Sequence, residues 1–449
     1  MAVDMNIFRG FAQQIGQLGG MAAPTDMSDD ERVAKATAVF DAKLDNAKAA
    51  HLDACVHCGI CAEACHFYVQ TGNPDYTPIR KLDLLKRHYR REHSGLRWLY
   101  RRTTKPVTAQ ELEQWQELVY DACTECGRCG AVCPMGIDIA SMVNVMRQAL
   151  AQAGLIPAEL RAVQQEQSGR GTVFGVGTEQ FEQAAQRLRE QGIDVPINQK
   201  EGIDVMVLST VVDVMLFNDA LAATARIMNH LGVKWSICTE ATEAANLGML
   251  SGYEATQKAA SDRIIKAAVT CGAKTVILPE CGHAYPALRW EGANEFGREL
   301  PFEVLAISEF IGREVAAGRL KLKPLGKDRT YTYHDPCKLG RHGGIFKEPR
   351  AVFDALDVDL REMPSHGRMN FCCGGGAGVF LINRAAPLRR ATFDLKREEV
   401  ESTGADSLVT SCGSCRLNFL AGADAVQWDR RIESLVELVG ENLADVDPR

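Results

Sequence analysis

Apolar positions recur with helical spacing over the first 200 residues and in short strand-like runs beyond them. Ile7, Phe8, Phe11, Ile15 and Leu18 share one face of a helical spiral, which predicts an amphipathic helix over 5–18. Such a helix either packs on the body of the chain or docks on a membrane surface or a partner. The same period predicts helices over 84–100, 109–120 and 139–153. Residues 161–200, rich in Gln and Glu and punctuated by Gly, predict a linker carrying one helix. Past residue 200 the period changes. Short apolar runs at 205–208, 234–238 and 275–278 alternate with helical stretches at 219–230 and 254–270. That order returns as strands at 331–333 and 407–410 and helices at 349–356 and 386–403. Alternation of this kind predicts α/β layers with mostly parallel strands. The two halves read as a divergent tandem repeat. Asn246-Leu247-Gly248 precedes a helix in the first half and Cys372-Cys373-Gly374 in the second. Each half ends in a strand and a cysteine turn, Leu278-Pro279-Glu280-Cys281 against Cys412-Gly413-Ser414-Cys415.

Composition narrows the class. With 46% hydrophobic and 24% charged residues among 449, the chain is globular rather than disordered. A net charge of -7 argues against a nucleic-acid partner. The most apolar stretch, 205–217, is interrupted by Asp213 and is too short to span a bilayer. The N-terminus shows no export signal, so a cytoplasmic location is expected. Residues 80–105 carry ten Lys/Arg against two Asp/Glu, interleaved with Tyr89, Trp98 and Tyr100. This segment is either a solvated face or a dock for an anionic surface or acidic partner.

Cysteine changes the picture most. Thirteen of the 16 cysteines fall in compact motifs, a pattern of metal binding rather than of disulfides. Cys55-x2-Cys58-x2-Cys61-x3-Cys65 is followed by Cys123-x2-Cys126-x2-Cys129-x3-Cys133-Pro134. This is the spacing of two-cluster ferredoxins, in which the fourth cysteine serves the other cluster. It predicts one [4Fe-4S] cluster on Cys55, Cys58, Cys61 and Cys133, and a second on Cys123, Cys126, Cys129 and Cys65. Zinc knuckles pair their ligands differently. His66 stands where the motif normally has Pro. A second constellation is Cys337, then Cys372-Cys373, then Cys412-x2-Cys415. Five sulfurs at the ends of parallel strands exceed what one ordinary cubane needs. Gly374, Gly375, Gly376 and Gly378 would let backbone approach that centre. Cys238 and Cys271 match no motif and are expected in the core.

The five-cysteine arrangement resembles the CCG domain of heterodisulfide reductase catalytic subunits. A ferredoxin module followed by two CCG-like halves is similar to the fused, HdrD-type form of that family. Cys61-Ala62-Glu63-Ala64-Cys65-His66-Phe67-Tyr68 and Pro279-Glu280-Cys281-Gly282-His283-Ala284-Tyr285 look like its DsrK-like (HmcF-like) branch. That branch holds the iron–sulfur subunits of sulfite-reductase-associated, Hmc-type and hydrogenase-associated membrane complexes. The likeness spans about residues 50–425.

The resemblance implies an α+β multidomain fold. An N-terminal helical segment (1–50) and an α-helical two-cluster ferredoxin module (51–160) come first. A linker (161–200) leads to two tandem α/β CCG-type modules, a degenerate one (201–325) and one holding an atypical cluster (326–449). Each half of the family's full form carries five cysteines. Here Val211 stands near the first position, Asn246-Leu247 replace the pair, Leu278 replaces the first of the terminal pair, and Cys281 remains. One further atypical cluster, noncubane or open-site, is therefore implied on Cys337, Cys372, Cys373, Cys412 and Cys415. Cys281 would be an extra ligand, a redox thiol or a remnant. His334 and His283 would donate protons or orient ligand loops, and His342 is a weaker candidate of the same kind. The implied function is a cytoplasmic electron-transfer subunit, peripheral at the inner face of the membrane. It would perform thiol/disulfide or persulfide redox chemistry on a small thiol/disulfide or a protein persulfide, with a membrane cytochrome b-type subunit or another redox subunit as partner. Two alternatives remain: a pure electron relay beside a hydrogenase, or the iron–sulfur subunit of a lactate- or glycolate-oxidising complex. No G-x-G-x-x-G follows a strand, so flavin would belong to a partner.

Overall fold

The computed structural model describes residues 3–22 and 25–444. Eight strands form two four-stranded sheets. The first contains β1 (Val205–Val207), β2 (Trp235–Ile237), β3 (Thr275–Leu278) and β4 (Glu303–Ala306); the second contains β5 (Thr330–His334), β6 (Asp359–Leu360), β7 (Ser407–Thr410) and β8 (Arg431–Ser434). Both sheets are parallel and share one order, β2-β1-β3-β4 and β6-β5-β7-β8. The registers also match: Val205 lies opposite Thr275 as Tyr331 lies opposite Ser407. The tandem repeat legible in the sequence is thus a repeat of topology. The crossover helices Glu254–Cys271 and Ala386–Thr403 even end alike. Gly272 (φ 71°) and Gly404 (φ 66°) cap them in the left-handed conformation that glycine adopts without penalty.

The two sheets share a core. Val207, Ile237, Leu305 and Ile311 belong to the same packed cluster as Tyr333, Phe353, Val409 and Leu438. Two helix contacts related by the repeat join them. The helix after β4 (Ile307–Ala316) meets the helix Lys347–Ala355, and the helix after β8 (Leu435–Glu441) meets the helix Asn218–His230. Gly312 and Gly440 stand at matching positions in the two approaching helices. A Cβ on Gly312 would reach Glu348, and one on Gly440 would come within 2.5 Å of the Ala223 Cβ.

Residues 28–156 pack as a separate helical core around Phe40, Leu85, Leu112 and Met146. Three readings of local structure change. The stretch 84–100 is two helices, Asp83–Glu92 and Arg97–Thr103, parted at Ser94-Gly95, where glycine weakens continuation. Residues 161–200 hold parts of two helices, Ala158–Arg170 and Thr178–Glu190. The second buries Phe181, Ala184, Ala185 and Leu188, so the segment packs instead of spanning solvent. Ile197 then bridges in parallel to Ile237. Strands β4 and β8 lack sequence signals because each opens on an exposed charged residue and β8 holds a single apolar side chain. The amphipathic helix Met5–Gln17 lies on the body of the chain, with Phe8, Phe11 and Ile15 buried. Arg9 holds Asp424 at 2.6 Å, and Gly16 accepts a hydrogen bond from Asn383.

Candidate iron–sulfur centres

The two N-terminal cysteine loops share one backbone trace. His57 (φ 54°) and Gly59 (82°) flank Cys58, as Glu125 (48°) and Gly127 (74°) flank Cys126. Two left-handed residues around the middle cysteine curl each loop, and each such non-glycine residue costs about 1 kcal/mol or more. The fourth cysteine of each motif lies with the other motif's triplet. Burial raises Cys61, and charge on Cys55, Cys58 and Cys133 adds to it. Burial raises Cys129, and Cys126, Cys123 and Cys65 add to it. The Glu125 N–H donates to the Cys123 sulfur at 3.4 Å. Cys58 is exposed, so the first quartet is the outer one.

The second quartet has an interior cation. Lys81 is 2% exposed and donates to the Ala122 carbonyl. Burial opposes its charge, yet the facing Cys65, Cys123, Cys129 and Cys126 leave its pKa raised. Lys86, also buried, approaches His57 at 3.0 Å. Two of the ten cations in the basic segment therefore point at cysteine loops. The helix Arg97–Thr103 buries none of its residues, and Leu96 and Trp98 are exposed beside its arginines.

In the C-terminal module Cys337 and Cys412 leave the C-terminal ends of the neighbouring strands β5 and β7, where open parallel sheets place their sites. All five cysteines are buried. Cys126, Cys337 and Cys373 all couple to the Cys372 thiol. Cys373 is held low by hydrogen bonding to Cys372, then to Cys415. Cys412 is held low by Cys415. A chain of sulfurs thus runs Cys126–Cys372–Cys373–Cys415–Cys412, from the second quartet into the C-terminal constellation. Gly374 and Gly375 N–H groups donate to Cys372 and Cys373 at 3.5 and 3.4 Å. Convergent soft thiolates, N–H···S donors and dry surroundings are the donor set of iron–sulfur clusters.

The histidines divide by geometry. His334 is buried, and its ring nitrogen lies within 4.8 Å of the Cys373 and Cys415 sulfurs. His283 is also buried, and its Nε2 accepts the Ala377 N–H at 2.8 Å. Burial, with Lys338 nearby, pushes its pKa down to about 3. An imidazole nitrogen that accepts an amide cannot also carry a proton to give. His283 therefore orients the loop after Cys373 instead of donating through Nε2. His342 presses on the cubane loop, its Nε2 2.7 Å from where a Cβ on Gly127 would stand. His66 is buried against Phe67.

The glycines after Cys373 approach protein, not the sulfurs. A Cβ on Gly374 would strike Thr392, one on Gly375 would lie 2.8 Å from Asn418, and one on Gly378 would meet Leu160. The degenerate half also aligns differently from its sequence pattern. The Cys281 sulfur accepts from the Ala284 amide as Cys412 accepts from Cys415, so Cys281 stands in the place of Cys412 and Ala284 in that of Cys415. Burial pushes the Cys281 thiol far up, with Cys412 adding to it. Cys271 is buried and Cys238 packs beside its cluster.

Several residues that position the centres carry no sequence motif. Arg147, fully buried, donates to the carbonyls of Val119 (2.8 Å), Cys123 (2.8 Å), Leu250 (2.7 Å) and Ala377 (2.7 Å). Arg341 bonds Cys126 and Asn370, while Arg128 bonds Met369 and Ala64 and lies over the Phe371 ring at 3.5 Å. Arg350 holds Asp335 through two bonds of 2.8 and 2.9 Å, fixing the turn before Cys337.

Comparison with known proteins agrees with this architecture. Residues 51–137 match the 4Fe-4S dicluster domain and residues 331–420 the cysteine-rich domain family. The D-type subunit of the dihydromethanophenazine:CoB–CoM heterodisulfide reductase of Methanosarcina barkeri is 31% identical over 92% of this chain and 99% of its own length. The chain belongs to the HdrD-type heterodisulfide reductase family. The Hdr-like menaquinol oxidoreductase iron-sulfur subunit 2 of Archaeoglobus fulgidus is 27% identical over 87% of this chain and 80% of its own length. The EtfAB:quinone oxidoreductase of Syntrophomonas wolfei is 28% identical over 84% and 56%. As a member of this family the chain is an iron–sulfur protein and an oxidoreductase subunit. No helix among the described residues is long and apolar enough to cross a membrane.

Proposed function

We propose that this subunit of the heterodisulfide reductase type moves single electrons through two cubanes to a sulfur-active centre in the C-terminal module. Cys55, Cys58, Cys61 and Cys133 would hold the outer cubane, and Cys65, Cys123, Cys126 and Cys129 the inner one. Cys337, Cys372, Cys373, Cys412 and Cys415 would hold the third, atypical cluster, within the module of residues 326–449. Bound iron–sulfur clusters supply one-electron carriers and, at the third site, iron that accepts a thiolate sulfur. The protein's part is to place them in order. The observation that carries the reading is the unbroken run of sulfurs from Cys126 to Cys412. It puts the inner quartet against the third constellation, with Arg128 and Arg341 clasping the loops together. His334 lies beside the Cys373 and Cys415 sulfurs, where it would orient a ligand loop or pass a proton.

The balanced reaction is a disulfide, two electrons and two protons giving two thiols, or its reverse. A persulfide would give a thiol and hydrogen sulfide. Electrons would be exchanged with a quinone-linked cytochrome b-type or other redox subunit at the outer quartet. Exposed Val56, Ile60 and Met135 mark that side, and the exposed basic helix Arg97–Thr103 would offer a dock to an acidic partner or an anionic surface. This would place the subunit in the cytoplasm, peripheral at the inner membrane face. Anaerobic purification with iron and sulfide analysis and EPR tests the reading. About three clusters, and a paramagnetic oxidised species perturbed by added thiol, are expected. Three clusters with no thiol-sensitive signal would leave a relay without substrate. Two clusters alone would remove the third centre.

A further inference from the structure

A cavity of about 90 Å³ lies behind the third constellation, in the module that lost its cysteines. Its walls are Val211, Leu247 and Cys281 from the first module and Gly375, Gly413 and Leu417 from the second. Strand register puts Val211 where the C-terminal module has Cys337. Leu247, followed by Gly248 at the head of a short helix, stands where that module has Cys373 followed by Gly374. Cys281 stands for Cys412. The cavity thus occupies the ground of a second cysteine constellation, with two of its positions turned to hydrocarbon. Phe11 and Phe174 roof it in edge-to-face contact at 5.3 Å between ring centres.

We infer that this cavity binds the short, uncharged alkyl body of the thiol or disulfide on which the third centre acts. The inference rests on the function proposed above. The chemistry of the walls selects the ligand. Its carboxyl groups are engaged elsewhere: Glu243 accepts the Val211 and Ala245 amides at 2.9 and 2.7 Å, and Glu280 accepts Val436 at 3.2 Å. Among the described residues no lysine or arginine lines the space to receive an anion. A sulfonate, phosphate or carboxylate tail would be stripped of water without compensation. The volume is below the ~150 Å³ that takes a benzene ring, which suits a short chain. Gly375, Gly413 and Ser414 of the wall belong to the loops that carry Cys373, Cys412 and Cys415, so a sulfur at the end of that chain would face those loops.

The test is an anaerobic thiol titration of the full, cluster-loaded chain, read by EPR of the oxidised form. Butane-1-thiol and thioglycolate are the probes. Burial of the alkyl chain should let butane-1-thiol act at about tenfold lower concentration or less. Leu247→Trp and, separately, Val211→Phe should shrink that preference to within about twofold, with iron content and cubane signals unchanged. Two substitutions guard against one that misfolds. Equal potency of the two thiols, or a preference that survives both fillings, overturns the cavity assignment while the thiol-active centre stands. Silence toward both thiols in the unaltered chain overturns the proposed function, and this inference with it.

Discussion

Arg147→Met removes a cation that touches three parts of the fold at once. Its guanidinium bonds Val119 and Cys123 in the cluster-binding helical region, Leu250 in the first α/β module and Ala377 in the loop after Cys372-Cys373. It also lies 4.8 Å over the Tyr120 ring and 3.6 Å from Glu125. Each charge-assisted bond contributes about 1.5–3 kcal/mol, and four carbonyls would lose a donor in the interior. Methionine restores most of the volume and removes a buried charge, which offsets part of the loss. The balance for breaking such a buried network is about 3–5 kcal/mol. In a protein of 449 residues that is roughly 3–5 °C of melting temperature. Ala377 also donates to His283, so the loop after the Cys372-Cys373 pair would lose one of its anchors and keep others, the Asn418 bond to the Cys373 carbonyl among them. The measurement is differential scanning calorimetry of the cluster-loaded protein with EPR of the reduced form, where neighbouring paramagnetic centres broaden one another. A lower melting temperature and altered broadening are expected. A variant melting within about 1 °C of the parent, with unchanged broadening, would refute the reasoning.

Lys81→Met should lower the inner cubane's reduction potential. A unit charge at about 6 Å and an effective dielectric near 20 is worth about 3 kcal/mol, or roughly 120 mV for one electron. A redox titration followed by EPR should show a shift of about 50–120 mV, and no shift would deny Lys81 that role. His283→Gln should retain the third centre's signal because an amide oxygen can still accept from Ala377, whereas His283→Leu should broaden or erase it. Equal loss in both would instead argue for proton donation. Burial pushes Glu243 up to about 8, so the folded state keeps a proton that the unfolded chain releases above its ordinary value near 4.3. Glu280 is pushed up to about 8 as well, so each carboxyl should make stability fall by about 1 kcal/mol per unit as pH rises from about 5 to 8, and Glu243→Gln should remove about half of that slope in urea unfolding. Gly440→Ala places a methyl within 2.7 Å of the Ala223 backbone. It should cost about 2 kcal/mol or more by parting the two modules, visible as a lower urea midpoint.

What could be read in the sequence was whatever chemistry forces into a fixed spacing. Cysteine loops qualify, because three thiols must curl around one point and the backbone permits few ways to do it. The left-handed pairs His57–Gly59 and Glu125–Gly127 are the structural form of that spacing. Strand and helix order was legible too, since β1, β3, β5 and β7 are short runs of apolar, aromatic and β-branched residues, nearly all buried. Their edge neighbours β4 and β8 were not, because each opens on an exposed charged residue and β8 holds a single apolar side chain. The single helix expected over 84–100 and the linker expected over 161–200 fail for the same cause. Periodicity does not register a Ser-Gly break, or a helix whose burial depends on distant partners. Arg147 and Arg341 were invisible because an arginine that bonds carbonyls from distant segments has no local signature.

The first α/β module keeps its scaffold although it carries only Cys281 of the five cysteine positions of the second. Its sheet, its crossover helices and the approach glycine Gly312 all keep their counterparts in the cluster-bearing half, although its constellation is reduced to Cys281. Retention of the scaffold within one chain is intelligible if the first module is needed as a wall. Its helix Asn218–His230 receives Gly440 across the interface, Leu250 receives Arg147, and His283 sets the loop after Cys373. Each of these contacts fixes the first module against the rest of the fold. None of these contacts uses the side chain of Val211 or Leu247. Replacing both by cysteine, Val211→Cys with Leu247→Cys, should therefore be tolerated in folding. With Cys281 it would rebuild three of five positions, too few to close a cluster against a background in which Ala284 and Asn246 stay unchanged. Iron content should stay at the parent value in that variant. A gain of a fourth cluster would show that the cavity is still shaped for iron, and that its apolar walls are incidental.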